Sequence, residues 1–331
     1  MSQTTLLAYE AGEGMRAAVL TEPGRIEIQT VERPAPGPGQ VRVRIEGCGV
    51  CASNLAPWAG QPWFEYPFAP GAPGHEGWGR VDALGDGVRS VAIGDRVAFL
   101  SNAAYAEFDC AAVNELVLLP PELDGMAFPG EPLGCAMNIF RRSSIETGQS
   151  VAIVGIGFLG ALLTRLASQA GARVIGISRR EYSLDVARAM GAEETIEMRD
   201  HTGILERVSQ LTSGTMCDRV IEAVGMQWPL DLAGELTRER GTLVIAGYHQ
   251  DGPRQVNMQL WNWRGLDVIN AHERDPVVYI DGIRAAVDAV EGGSVDPAPL
   301  YTHSYPLERL GEALDAVRDR PDGFLKALMI P

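Results

Sequence analysis

The segment VAIVGIGFLG, residues 151–160, limits this chain more than any other stretch. A short apolar run ends in Gly155-x-Gly157-x-x-Gly160, and Leu159, Leu162, Leu163, Leu166 and Ala170 then recur on one helical face. A buried strand that turns through glycines into a helix opens a βαβ unit. In that setting the first glycine makes the turn and the second lets a pyrophosphate approach the backbone. The third allows close helix–strand packing, and the helix amino terminus, beginning at Phe158 and Leu159, favours the phosphate charge. Without a ligand the same glycines make only a tight strand–helix turn.

The residues that follow continue the alternation. VIGI (174–177), RVIEAV (219–224), TLVIAG (242–247) and LDVINA (266–271) are β-branched runs separated by helical periodicity, and a further helix is expected over 277–290. Continuous apolar strands between helices predict a doubly wound parallel sheet covered on both faces. The preceding part, from Met15 to about Pro120, reads differently. Val41, Val43 and Ile45 alternate with Arg42, Arg44 and Glu46, and PAPGPG (34–39) and APGAPG (69–74) break the segments. That pattern predicts an antiparallel β domain. The chain ends in a strand-like FLKALMIP, with no internal repeat.

The tip of the second strand of the βαβ unit selects the dinucleotide. An acidic residue about 20 residues past the glycine loop would accept from a ribose 2′-hydroxyl. Ser178, Arg179 and Arg180 stand there instead. Guanidinium groups suit a planar, bidentate grip on a 2′-phosphate, so NADP(H) is favoured over NAD(H). The plainer reading makes both arginines solvated surface charges.

A net charge of −15 and a pI near 4.8 oppose nucleic acid or an anionic membrane as partner. No apolar run is long enough to span a bilayer. The first residues carry no basic group before Arg16, and read as a loose extension over 1–14 rather than a targeting signal. Five scattered cysteines make no disulfide framework and suit a reducing cytoplasm.

Two of those cysteines lie in EGCGVCASN (46–54). A redox C-x-x-C opens a helix, and a zinc ribbon needs a second C-x-x-C, which is missing. Further on, PGHEGWGRV brings His75 and Glu76 together. A thiolate, an imidazole and a carboxylate from separate loops suit a borderline-soft ion with an open coordination position.

These residues together resemble the zinc-dependent medium-chain alcohol dehydrogenases, particularly the polyol (sorbitol-type) branch. GCGVCASN resembles that family's cysteine segment, PGHEGWGRV its G-H-E element, and EPLGCAMNIFRRSSIETGQSVAIVGIGFLG (131–160) aligns without a gap. DRVIEAVG (218–225) and YPLERLGEALDAV (305–317) match later landmarks. The resemblance implies a β-rich GroES-like catalytic domain over 15–135, a Rossmann dinucleotide-binding domain over 136–271, and a carboxyl-terminal return to the catalytic domain over 272–331.

It also implies one catalytic zinc per chain at Cys51, His75 and Glu131, with Glu76 a close neighbour able to tune or replace a ligand. Glu131 is preferred to Cys135, and Cys48 is a bystander. Ser53 would pass the substrate's hydroxyl proton outward while a hydride moves to or from the nicotinamide, and Ala223 and Val224 join the cofactor site. The substrate implied is a secondary alcohol or its ketone, of polyol, sugar or cyclitol type, and the assembly a homodimer or homotetramer. Departures from the family are Asn54 where an acid is usual, Ala56 where some members have histidine, and a missing structural zinc lobe. Trp58, Trp63, Phe64 and Tyr66 are expected near the cleft wall. His201, His249, His272 and His303 are expected to be surface or packing residues. Two other readings share the motifs: a zinc-free reductase of the quinone oxidoreductase type, and a noncatalytic dinucleotide sensor.

Overall fold

The computed structural model describes residues 14–331, so the extension expected over 1–14 lies, apart from Gly14, outside the described residues. The chain divides into two units. The first runs to Pro129 and takes back Ser304–Asp319 and Ala327–Pro331; the second holds Gly130–His303 and Arg320–Lys326.

The first unit opens with a hairpin of β1 (Gly14–Glu22) and β2 (Arg25–Glu32), turning at Pro23 and Gly24. Then come β3 (Gln40–Val50), α1 (Leu55–Trp58), β4 (Gly77–Leu84), β5 (Arg96–Phe99), β6 (Phe108–Ala112) and β7 (Leu116–Leu118). In β3, Val41, Val43 and Ile45 are buried as the alternation predicts, while the Arg42 side chain reaches Asp82. The strand continues further than its alternation suggests, because Gly47, Cys48, Gly49 and Val50 are all buried. It pairs antiparallel with β4, with Cys48 opposite Gly77. That register sets the residue just past the end of β3, Cys51, beside those just before β4, His75 and Glu76.

The second unit begins with α2 (Gly130–Ser143) and alternates through β8 (Ser150–Val154), α3 (Phe158–Gln169), β9 (Arg173–Ser178), α4 (Glu181–Ala189), β10 (Glu194–Glu197), α5 (His201–Leu211), β11 (Cys217–Glu222), α6 (Gln227–Leu236), β12 (Thr237–Ile245), α7 (Met258–Arg264) and β13 (Asp267–Asn270). The six strands pair in parallel in the order β10-β9-β8-β11-β12-β13. This is the doubly wound sheet expected, and its order reverses between β8 and β11, where such sheets bind ligands at the strands' carboxyl ends. Ala152, Val154, Ile175, Ile177, Val220 and Leu243 form its buried centre.

After β13 comes α8 (Pro276–Glu291), one residue longer at each end than the expected helix. Asp275 accepts from the Val277 amide and Pro276 opens the first turn. The chain then leaves through β14 (Tyr301–Pro306), adds α9 (Leu310–Asp319) to the first unit, and ends in β15 (Lys326–Ile330). In the first unit, Leu328 of β15 pairs with Gly49 of β3, so the terminal strand braces the segment that delivers Cys51. Among the described residues, no helix is long and apolar enough to cross a membrane.

Candidate functional site

In the first unit, Cys51, His75 and Glu76 each offer a ligand atom, and these atoms all lie within 4.8 Å of one another. Cys51 and His75 are half-buried and Glu76 is fully buried. The backbone explains the convergence, because the Gly49 amide donates to the Glu76 carbonyl across 3.1 Å and ties the two segments together. A Cβ at 49 would stand 1.7 Å from the Glu76 carboxylate, so this glycine leaves the carboxylate its present place. One sulfur, one imidazole nitrogen and one carboxylate oxygen fit zinc as a donor set.

The imidazole is held in one tautomer. His75 Nδ1 lies 2.9 Å from the Pro73 carbonyl oxygen, which can only accept. The proton therefore sits on Nδ1, and Nε2 keeps its lone pair for an ion. Ser53 Oγ lies 3.5 Å from that Nε2. Behind the site, Asn54 donates to the same Pro73 carbonyl across 3.2 Å and accepts from the buried Tyr105 hydroxyl across 2.7 Å. Tyr105 is held well above the usual phenol range, by burial first and then by Cys48, Glu76 and Cys51, so it serves as a permanent donor.

Glu131 belongs to the second unit, in the first turn of α2, where it accepts from the Cys135 thiol across 3.2 Å. The carboxylate grouped with Cys51 and His75 is Glu76. Of the four loop aromatics, Trp58 is buried, with its indole nitrogen on Asp315 at 3.0 Å. Phe64 lies within ring contact of Trp63 and of Phe68, which also meets Tyr66, and Trp63 is 55% exposed.

The glycine loop of the second unit has the form its sequence predicts. Gly155 has φ +103°, a left-handed conformation, and a Cβ there would meet Val224 at 2.4 Å. A Cβ on Gly160 would stand 2.0 Å from the Gly155 carbonyl oxygen, so the third glycine is fixed by packing. At Gly157 a Cβ would meet nothing within 4 Å. The space before the middle glycine is open, and α3 starts there with no side-chain cap on its first amides. An uncapped helix terminus with free approach fits a pyrophosphate. Phe158 is buried and stacks on Tyr301, with ring centroids 5.8 Å apart; Leu159 is half-buried beside it.

Ala223 and Val224 lie past the end of β11 rather than in the strand. The Ala223 amide donates to Val154 at 2.8 Å, which puts this loop against Gly155 across the switch point. At the tip of β9, Ser178 is buried, Arg179 is exposed, and Arg180 donates to the Phe324 carbonyl at 2.6 Å.

Some participants escape a reading of the sequence. Glu222 is fully buried and accepts from the amides of Val224 (2.7 Å) and Gly225 (2.8 Å), which shapes the loop beside Gly155. Its other oxygen lies 3.0 Å from His249 Nε2, and Arg254 donates to His249 Nδ1 at 2.9 Å. His249 is thus a member of a partly buried polar chain that ends on the buried Glu222. Only the run RVIEAVG, with an acid closing an apolar strand, signalled it. Lys326 is buried with its ammonium 5.3 Å from the Phe158 ring. No local pattern announces that contact.

Comparison with known proteins agrees with this two-unit fold. The family model for an alcohol dehydrogenase GroES-like domain matches residues 37–135, and that for a zinc-binding dehydrogenase matches residues 159–284. The chain is 27% identical to a sorbitol dehydrogenase of Halalkalibacterium halodurans, over 96% of this chain and 99% of that one. It is equally similar, with the same coverage, to an alcohol dehydrogenase of Cupriavidus necator. A solved structure assigned as a zinc-binding dehydrogenase of Sinorhizobium meliloti 1021, bound to NADP, superposes with a TM-score of 0.82 at 25% identity, covering 96% of this chain and 99% of its own.

Proposed function

Because the chain belongs to the zinc-type medium-chain dehydrogenase family, whose members place it among oxidoreductases of alcohols, we propose that it transfers a hydride between NADP(H) and a secondary alcohol or its ketone, of polyol, sugar or cyclitol type. The observation that carries this reading is the convergence of Cys51, His75 and Glu76 in one unit of a chain whose other unit holds the glycine loop.

Cys51, His75 and Glu76 would hold one zinc, which when bound supplies a Lewis acid for an alcohol or carbonyl oxygen. Pro73 keeps the His75 lone pair on Nε2, and the Tyr105–Asn54 pair keeps the Pro73 carbonyl where His75 needs it. Ser53 would take the substrate's hydroxyl proton and release it to solvent; its hydroxyl is the protic group beside His75 Nε2. On this reading Glu76 completes the donor set, since its carboxylate oxygen lies within 4.8 Å of the Cys51 and His75 ligand atoms.

The glycine loop would hold the pyrophosphate through the amides at the start of α3, and Ala223, tied to Val154, and Val224, tied to Glu222, would lie on the nicotinamide side of that loop. Arg179 supports a 2′-phosphate by its exposure at the tip of β9. The exposed Trp63, with Phe64, Phe68 and Tyr66 behind it, supports a substrate with a ring or carbon face to stack against an aromatic. A turnover panel of polyols, sugars, cyclitols and simple secondary alcohols against both cofactors tests the proposal. Oxidation of at least one member with NADP+, and slower with NAD+, is expected; no turnover with either cofactor would sink it.

A further inference from the structure

At the tip of β9 a third guanidinium joins Arg179 and Arg180, and it comes from the far end of the chain. The second unit recovers Arg320–Lys326 after the excursion through α9. This segment is fixed in place by its own contacts. The Phe324 amide donates to Pro321 at 3.0 Å, the Leu325 amide to the Thr302 hydroxyl at 2.9 Å, and the Phe324 ring lies 5.1 Å from His303. Arg180 then clamps it, donating to the Phe324 carbonyl at 2.6 Å.

Arg320 opens this segment with φ +48°, in the left-handed region that an arginine seldom occupies. Its charge bears on Arg180, and the charge of Arg179 bears on both. Burial first, and then these like charges, hold the Arg180 and Arg320 guanidiniums below their ordinary proton affinity, although solvent still reaches Arg320. Arg16, Arg25, Arg80, Arg188, Arg309 and Arg318 are displaced the other way, each beside a carboxylate. Among the described residues none of the three arginines enters an ion pair, and Asp322 acts on Arg180 only at longer range. Three cations gathered with so little compensation call for a dianion.

We propose that Arg320 joins Arg179 and Arg180 in seating the phosphate on the adenine ribose of the dinucleotide, and that it is a specificity-determining residue for NADP(H). The proposal rests on the dinucleotide reading above. It deepens that reading by drawing recognition partly from a segment about 140 residues beyond β9, where the adenine ribose of such folds lies at the end of the second strand.

Direct binding to the intact protein separates this inference from its premise. NADPH, NADH and adenosine 2′,5′-bisphosphate are titrated calorimetrically against the wild type, Arg320→Gly, Arg320→Lys and Arg179→Gln. Glycine adopts φ +48° freely, so Arg320→Gly removes the charge without straining the turn. Arg320→Gly is expected to bind NADPH and the bisphosphate about tenfold more weakly, which is about 1.4 kcal/mol, with NADH unchanged. Arg320→Lys should recover part of the loss. If Arg179→Gln weakens NADPH while Arg320→Gly does not, the inference about Arg320 fails and the cofactor reading stands. Equal losses for NADH and NADPH in Arg320→Gly would overturn the inference by making the residue structural. If the wild type binds NADH as tightly as NADPH and no arginine replacement matters, the cofactor reading itself fails.

Discussion

The Tyr105 hydroxyl donates to the Asn54 side-chain oxygen across 2.7 Å, and through the Asn54 amide group it reaches the Pro73 carbonyl that orients His75. A phenol buried in the core thereby fixes an imidazole at the site. Tyr105→Phe leaves the Asn54 oxygen buried without that donor, and should cost about 1–3 kcal/mol of folding stability. If His75 ligates zinc as proposed, loosening its support should also weaken zinc binding by about tenfold or more. Competition with a fluorescent chelator measures the second effect, and unchanged zinc affinity would show that the pair is structural only.

Asn54→Asp should harm this protein. The carboxylate would still accept from Tyr105, but its second oxygen would face the Pro73 carbonyl, 3.2 Å from the present amide nitrogen. Two acceptors would oppose each other in a buried place. A lower melting temperature than that of the wild type is expected, and a rise would contradict the arrangement.

The two carboxylates offered for the zinc are separable. Glu76→Gln should strip zinc from the purified protein, whereas Glu131→Gln should leave it in place, since it is Glu76 whose carboxylate oxygen is grouped with the Cys51 and His75 ligand atoms. Elemental analysis of both variants decides, and the opposite pattern would move the ligand role to Glu131.

At the glycine loop, Gly157→Ala should fold at least as well as the wild type. Its φ of −100° suits alanine and its Cβ would meet nothing, so a gain of about 0.4–1 kcal/mol is expected. Dinucleotide affinity should nevertheless fall by about tenfold or more, because the methyl group occupies the pyrophosphate's approach. Gly160→Ala should instead destabilise the fold by about 1–3 kcal/mol through its clash with the Gly155 carbonyl. Thermal melts paired with binding titrations distinguish the two.

Asp218, between β8 and β12, gives a pH signature. Burial would raise its pKa, but hydrogen bonds from the Ser150 amide and hydroxyl and from Arg238 outweigh burial and hold it below the usual carboxylate range. A depressed native pKa adds stability above the unfolded value of about 3.9 and loses it as pH falls further. Asp218→Asn should therefore be about 1–3 kcal/mol less stable near pH 7, with the gap closing below about pH 4. Denaturant titrations at several pH values test this, and a gap that widens in acid would contradict it.

Much of this molecule was legible from local sequence. VAIVGIGFLG gave strand, turn and helix because all three devices act within ten residues, and the alternation in β3 gave its buried face. Cys51, His75 and Glu76 stood out by residue type, and the β3–β4 register explains their meeting. The sequence was silent where distant segments touch. Nothing local links Tyr105 to Asn54, or Phe324 to Arg180, since those contacts follow from how the chain returns on itself. Glu222 hid in an apolar run, where a buried acid is costly unless backbone amides receive it, and its neighbours Val224 and Gly225 do so.

A metal held by a thiolate and an imidazole is the premise of the proposed reaction, and X-ray absorption at the zinc edge tests it directly. The purified protein should carry about one zinc per chain, with one sulfur at about 2.3 Å and nitrogen or oxygen ligands at about 2.0–2.1 Å. Cys51→Ser should lose the sulfur shell, and activity with it. A chain that shows turnover without zinc, or binds zinc with no sulfur neighbour, would contradict the account.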